Sequence, residues 1–470
     1  MMQISDTVSP LYTDLYQLTM AQAYFQHGMH EQNAVFDYFF RKIPFKGGYV
    51  VFAGLQELLA MIEELRFSEY DLEYLAQSGF DPSFLKYLED FSFKGDIVGV
   101  REGDVVFPFE PVVRVEGGLL ETQLIETLLL NVLNFQSLIA TKASRIRFAA
   151  GSKTLSDFGL RRAQSWGAMQ ASRAAIIGGF DNTSNVLAAR KYKVPHAGTM
   201  AHSFIESFGD EMVAFRAYAQ AFPQNSVFLV DTYNTLFSGI PKAIKVAREM
   251  RQNGHELKGI RLDSGDLAYL SKKAREMLDY DGFDKVKIVV SNQLDEYVIK
   301  SLQEQKAPID IFGVGTSLVT GKPDAALDGV YKLARVNKKA VLKISDNLQK
   351  TTLPGKKKIL RYFDREGMFY ADAVVMENET DVPRMINPFE KHKRLSLDGL
   401  PCEELYHTAM KNGKAVSLPE NPVQIHQRLK TRLNLLPAEH QRFDFPHIYK
   451  VGISEKVLAV RDELLLKHNW

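Results

Sequence analysis

The sequence contains a single cysteine, Cys402, so no disulfide can form within the chain. One thiol fits a reducing compartment, and inert packing is its expected role. An excess of charge of one sign is also missing: 58 Lys and Arg stand against 57 Asp and Glu, a net charge of +1. A dedicated nucleic-acid binder carries a basic excess, so no nucleic-acid partner is expected. No run is long and apolar enough for a membrane span, which needs about 20 mostly apolar residues. The best stretch, residues 119–135, is interrupted by Glu121, Gln123, Glu126 and Asn131. The opening MMQISDTVSPLYTDLYQ carries Asp6 and no basic region before an apolar core, unlike a secretory signal. The expected location is therefore cytoplasmic, away from membranes. Low-complexity tracts and short repeats are absent. No cluster has zinc-like spacing, since His27 and His30 lack Cys or acidic partners in a zincin pattern. No G-x-G-x-x-G opens a helix after a strand, and no G-x-x-x-x-G-K-[ST] occurs, so the usual nucleotide motifs of open α/β sheets are missing.

What is present is an ordinary globular composition, 45% hydrophobic and 24% charged over 470 residues. That length suits about three domains or one large barrel with additions. The texture changes twice. Up to residue 145, helical patterns mix with β-rich runs at 34–40, 49–54, 96–100 and 111–117, followed by one long amphipathic helix over 119–150. In the middle part, 146–330, short apolar runs alternate with helical stretches. The runs are TLSDFG (154–159), VPHAGT (194–199), SVFLVD (226–231), KGIRLDSG (258–265), VKIVVSN (286–292) and PIDIFGVG (308–315). Continuous apolar strands separated by single helices imply a parallel sheet buried on both faces. The number of units favours an irregular TIM-like α/β barrel over an open sheet. From 331 the pattern returns to β character and ends in a polar, helical tail, with 430–443 its clearest segment. We expect 1–145 and 331–470 to form one α+β domain from both chain ends. Three isolated modules is the rival layout.

In a barrel, functional side chains gather where the strands end. The polar positions there include Asp157, Arg161, Arg162, Thr199, His202, Asp231, Arg261, Asp263, Ser264, Ser291 and Asn292, with Gly313 and Gly315. Arg matches phosphate through its fork of donors, and a glycine turn before a helix lets backbone N–H groups approach a phosphate. Asp231 and Asp263 suit ribose hydroxyls or a Mg²⁺ ion bridging phosphates. His202 follows a Gly-Thr turn and precedes Ser203, a setting for chemistry, whereas His196 within the preceding run is expected in the core.

The motifs LYTDLYQLTM (11–20), FFRKIPFKGGYVVFAGL (39–55), FGLRRAQ (158–164), GGFDNTSNVLA (178–188), GTMAHSF (198–204), LVDTYNT (229–235), GIRLDSGDLAYLS (259–271) and FGVGTSLVT (312–320) resemble the nicotinate phosphoribosyltransferase family, in order, from about residue 11 to 375. The SWGAMQ stretch (165–170) departs from the family's turn at that place. The resemblance implies a type II phosphoribosyltransferase fold and a ligase-type reaction of NAD salvage. In it, nicotinate and phosphoribosyl pyrophosphate give nicotinate mononucleotide and pyrophosphate, coupled to ATP hydrolysis through a phosphohistidine. It implies Mg²⁺, ATP as co-substrate and a homodimer with shared sites. His202 matches the phosphorylated histidine. Arg261, Asp263 and Asp231 match positions near the pyridine ring, ribose and metal. Gly313 and Gly315, with Thr316, match the loop for the 5′-phosphate. Phe158 and, from a second copy, Tyr16 match an aromatic pair around the pyridine, with Asp14 beside it. Arg161, Lys332 and, from a second copy, Arg41 match cationic positions, the last two for phosphate or pyrophosphate. Thr183 and Ser184 match substrate-side positions.

Ser184 bears on acid against amide, because related nicotinamide enzymes place an Asp there. A Ser donates to a carboxylate, so nicotinate is the expected substrate. Ser184 also suits a second role, capping the helix that starts near Asn185. Rival readings are an amide-specific enzyme, another phosphosugar enzyme on a barrel, for which neither a Schiff-base Lys nor a Glu base stands out, and a non-catalytic nucleotide-binding barrel.

Overall fold

We describe the chain in a computed structural model, in which residues 8–347, 350–416 and 418–468 are described. The reading of the N-terminus rests partly on residues 1–7, which lie outside them. Among the described residues no helix is long and apolar enough to cross a membrane. The chain divides into two compact units. One comprises Met1–Leu138, Ala326–Glu420 and Gln427–Trp470, the other Ile139–Ala325 with Asn421–His426. The boundaries differ from those read in the sequence by several residues, and the short Asn421–His426 piece is new. It is held by Asn421 Nδ2 donating to Tyr192 O (3.0 Å) and by His426 Nδ1 bonding Ile177 O (3.0 Å).

In the unit built from the chain ends, the strand Asn33–Phe40 lies inside a seven-stranded antiparallel sheet, between Gly329–Val336 and Val113–Gly118. Its sequence, NAVFDYFF, does not alternate, and all but its first residue are buried. That pattern belongs to a strand covered on both faces. The one charge in it, Asp37, is offset by Lys357 Nζ at 2.7 Å. Burial still raises the Asp37 carboxyl above the ordinary range, against the pull of Lys357. A six-stranded sheet follows, built around Lys357–Phe363 and Phe369–Met376. Between its central strands, Arg361 is fully buried and binds Asp372 through Nε (2.9 Å) and Nη2 (2.6 Å) and Asp104 through Nη1 (2.9 Å).

The long helix read over 119–150 is two helices, Leu119–Leu124 and Glu126–Ala150, broken at Ile125. At the break Glu126 Oε2 accepts from Gln17 Nε2 (3.0 Å) and Gln123 Nε2 (2.7 Å). The tail read as helical contains the helices Pro422–Leu435 and Glu455–Lys467, but also the strands Cys402–Glu404, His407–Lys411 and Val451–Ile453.

The second unit is built on six parallel strands. In spatial order they are Asn182–Thr183, Thr154–Asp157, Ile311–Val314, Lys287–Ser291, Gly259–Leu262 and Val227–Leu229. Five of these are the runs read from the sequence. The sixth, Val194–Thr199 in the sequence reading, contributes only a single parallel bridge, Thr183 to His196. Pro195 has no N–H for a ladder, which limits pairing there. His196 is exposed, contrary to its expected place in the core. The pairing is that of an irregular α/β barrel whose ladder is not closed, ending at His196 on one side and at Val227–Leu229 on the other. Several helices of this unit are capped by their own sequence: Asp210, Asp266 and Asp295 each accept a backbone N–H of the first turn.

Candidate active site

Several of the polar residues at the barrel strand ends line one pocket of about 330 Å³. It is lined by Phe158, Arg161, Ser184, His202, Arg261 and Asp263, among others. Arg261, third in its strand, crosses the floor. Its Nε donates to Ser291 Oγ (2.8 Å), Nη1 to Thr199 Oγ1 (3.1 Å) and Nη2 to Asp263 Oδ1 (2.8 Å). Its guanidinium carbon lies 5.5 Å from the centre of the Phe158 ring. Ser291 also donates to Asp263 Oδ1. The next strand end is locked to this one: Asp231 Oδ2 accepts from Asp263 N (2.7 Å) and Ser264 Oγ (2.8 Å).

His202 begins the helix His202–Phe208. Its Nδ1 is engaged with Thr232 Oγ1 at 3.0 Å. Its Nε2 faces Asp231 Oδ1 at 4.0 Å and Asp263 Oδ2 at 3.9 Å. Asp231 Oδ1 is buried and has no hydrogen-bond partner. A desolvated, unpartnered carboxylate oxygen costs free energy unless a cation or donor meets it. Two carboxylates beside a space for phosphates are what Mg²⁺ usually takes from a protein, the rest of its shell being water and phosphate oxygen. The residues present therefore fit that ion, and Asp231 and Asp263 would hold it. Among the described residues no cluster of three or more His, Cys, Asp or Glu offers a full protein shell.

The wall opposite is organised by Asp157. Its side chain is fully buried, and it does not reach the mouth as its place at a strand end suggested. Its Oδ1 accepts from Gly159 N (2.8 Å), and its Oδ2 from Ser172 Oγ (2.8 Å) and Thr183 Oγ1 (2.7 Å). Burial raises the carboxyl above its ordinary value, and these three donors oppose that shift. Thr183 was expected on the substrate side. Its side chain is instead buried, donating to Asp157 and accepting from Asn185 N (3.0 Å). Ser184 does not cap the next helix; Asn185 does, accepting from Ala188 N. The Ser184 side chain is left to the pocket. Gly313 was expected at a phosphate. What the structure shows of it is that it seats the Phe158 ring, since a Cβ there would lie 2.5 Å from two ring carbons. Gly315 stands at the start of the short helix Thr316–Val319, and Thr316 is exposed.

Four expected site residues, Asp14, Tyr16, Arg41 and Lys332, belong to the other unit. There Asp14 Oδ2 accepts from Thr127 Oγ1 (2.9 Å) and Tyr16 is half exposed. Lys332 Nζ lies 3.6 Å from Glu126, the residue that also holds Gln17 next to Tyr16. Arg41 lies with its guanidinium 5.3 Å from the centre of the Phe39 ring. Sequence reasoning missed Thr232, whose hydroxyl orients His202. Its position directly after Asp231 was the available signal.

A parallel α/β barrel whose mouth gathers arginines, a carboxylate pair and a free imidazole nitrogen defines a barrel enzyme for a phosphorylated substrate. Comparison with known proteins makes this particular. The N-terminal domain model of nicotinate phosphoribosyltransferase matches residues 11–134, the family model 153–381 and the C-terminal domain model 356–461. The nicotinate phosphoribosyltransferase of Bacillus subtilis is 43% identical over 458 residues, 95% of this chain and 93% of its own length. The crystal structure of human nicotinic acid phosphoribosyltransferase superposes with a TM-score of 0.86 at 30% identity, over 96% of this chain and 99% of that one. The nicotinate-nucleotide pyrophosphorylase of Pyrococcus furiosus shares the fold, with a TM-score of 0.72 at 24% identity over 90% of this chain and 95% of that one. The chain belongs to the nicotinate phosphoribosyltransferase family, enzymes of NAD salvage.

Proposed function

We propose that this chain transfers the phosphoribosyl group of phosphoribosyl pyrophosphate to nicotinate, releasing pyrophosphate, and couples the transfer to ATP hydrolysis through phosphorylation of His202. The observation that carries the coupling is the placement of His202: Nδ1 is held by Thr232, and Nε2 faces the carboxylates of Asp231 and Asp263. With Nδ1 as donor to Thr232, Nε2 presents its lone pair to the γ-phosphorus of ATP. The N–P bond forms as the bond to ADP breaks, and water later takes the phosphoryl group as phosphate. Nicotinate lies on Phe158, with Ser184 and Arg161 as donors to its carboxylate. Arg261 is locked by Ser291, Thr199 and Asp263, so it needs no reorganisation to meet charge developing on the substrate. A Mg²⁺ ion on Asp231 and Asp263 would neutralise charge on the departing pyrophosphate. Gly315 and Thr316 take the 5′-phosphate. Tyr16, Asp14 and Arg41 serve a neighbouring copy's site in a homodimer, and Lys332 serves a phosphate. The enzyme works in the cytoplasm, consistent with its single thiol.

The test is mononucleotide formation from phosphoribosyl pyrophosphate with Mg²⁺, offering nicotinate or nicotinamide, each with and without ATP. We expect turnover of nicotinate, raised by ATP. His202→Ala should lose the ATP-dependent gain while nicotinate still binds. No product from either base would overturn the assignment.

A further inference from the structure

The helix Leu15–Gln26 forgoes a cap that its own sequence offers. Asp14 stands at the N-cap position with extended backbone, φ −75° and ψ 143°, yet its side chain accepts no backbone N–H of the first turn. That turn contains no acidic residue either. An N-cap Asp normally accepts from the free N–H groups there and meets the positive end of the helix dipole. Asp81, in the same position on its helix, accepts from Ser83 N and Phe84 N, and Asp210, Asp266 and Asp295 cap theirs in the same way.

The Asp14 carboxylate is drawn to another helix. Thr127 Oγ1 donates to Asp14 Oδ2 (2.9 Å) and accepts from Asp14 N (3.3 Å), so one hydroxyl grips both the side chain and the backbone. The residue before it, Glu126, accepts from Gln17 Nε2 (3.0 Å) and Gln123 Nε2 (2.7 Å), and Gln123 Nε2 also donates to Gln17 Oε1 (2.7 Å). Gln17, Gln123 and Glu126 are buried, which makes this support rigid. Two consecutive residues at the start of Glu126–Ala150 therefore hold both ends of the turn from Asp14 to Gln17, with Tyr16 between them. Asp14 itself is exposed, as are Tyr12, Leu15 and Tyr16. The direction of this exposed carboxylate is set by Thr127 and not by its own helix.

We propose that Thr127 is a positioning residue for the phosphoribosyl transfer. It keeps the Asp14 carboxylate away from the helix end and beside the pyridine ring at a neighbouring copy's site. This role rests on the reading of Asp14 and Tyr16 as site residues given above. In that reaction the pyridine nitrogen turns from neutral to cationic, as its lone pair bonds the ribose carbon and the bond to pyrophosphate breaks. A carboxylate already fixed beside the ring stabilises this charge without reorganising. Thr127 touches no reacting atom and acts only through Asp14.

Initial rates of the full-length enzyme, measured together with the melting temperature, test this. Thr127→Val keeps the shape and removes the hydroxyl, which frees Asp14 to cap its own helix. The melting temperature should stay or rise. The kcat with nicotinate should fall at least about tenfold, since a group displaced by about 1 Å can lose more than that. The KM for phosphoribosyl pyrophosphate should not move. Thr127→Ser restores the donor and should restore most of kcat. Asp14→Ala should lower kcat at least as far as Thr127→Val, and the double variant Asp14→Ala/Thr127→Val no further than Asp14→Ala alone, because the two residues act as one unit. An unchanged kcat in Thr127→Val, an additive double variant or a loss that follows a lowered melting temperature overturns the proposal. A full rate in Asp14→Ala overturns the placement of Asp14 at the site, and the role of Thr127 with it. An inactive parent enzyme overturns the reaction itself and everything that rests on it.

Discussion

Asp157 joins the Phe158 and Ser184 flanks of the barrel pocket without lining it. One oxygen fixes the Phe158–Gly159 turn, the other fixes Thr183 and Ser172, and its carbonyl accepts from Ser184 N at 2.8 Å. Asp157→Ala strands one N–H and two hydroxyls in a buried place. Unsatisfied buried groups cost about 1–3 kcal/mol each, so a melting temperature several degrees lower and a raised KM for nicotinate are expected together, read by calorimetry and initial rates. We propose that Ser184, which lines the pocket, decides between acid and amide. In Ser184→Asp a second carboxylate ~4 Å from that of nicotinate would cost about 4 kcal/mol at an effective dielectric of ~20. That corresponds to roughly a thousandfold in affinity. The KM for nicotinate should rise on that scale and the KM for nicotinamide far less.

At the scale of elements, the barrel strands present the site by position along each strand. Gly313 lies next to Phe158 because the strands Ile311–Val314 and Thr154–Asp157 pair in parallel, with Val314 opposite Asp157. Gly313→Val would push the ring from its seat, and a displacement near 1 Å costs about a hundredfold in rate. Loss of kcat/KM for nicotinate with little change in melting temperature is the expected pattern. These strands were legible in the sequence because each is a continuous apolar run ending in a polar residue. Asn182–Thr183 was not, since two residues carry no periodicity. The strands Arg384–Ile386, Arg394–Ser396 and Cys402–Glu404 span three residues each, too few to carry a period, and the last two also leave much of their surface exposed. Arg384–Ile386 and Arg394–Ser396 pair with each other, but the bridge from Ile386 to Ile453 and the pairing of Cys402–Glu404 with Lys357–Phe363 are out of reach of local pattern. At the site, the residue types Arg261, Asp263, Asp231 and His202 were legible. The inward turn of Asp157 and Thr183 was not, because a strand end shows its residue but not its direction.

At the scale of the molecule, the unit made from both chain ends is closed by buried charge. Arg361 and Asp372 come from the C-terminal part and Asp104 from the N-terminal part, and the Arg361–Asp372 pair is wholly shielded from water. Arg361→Met leaves Asp372 buried without its counter-charge, a loss of about 3–5 kcal/mol. Thermal unfolding should show that unit melting well below the parent. The same closure sets a timetable for synthesis. The strand Asn33–Phe40 leaves the ribosome early, yet one of its two neighbours, Gly329–Val336, is made about 300 residues later. At ~5–20 residues per second that is a delay of roughly 15–60 s. Throughout it one of the most apolar strands of the chain has an open edge, so the nascent N-terminal segment is where a holding chaperone would have its longest opportunity to act.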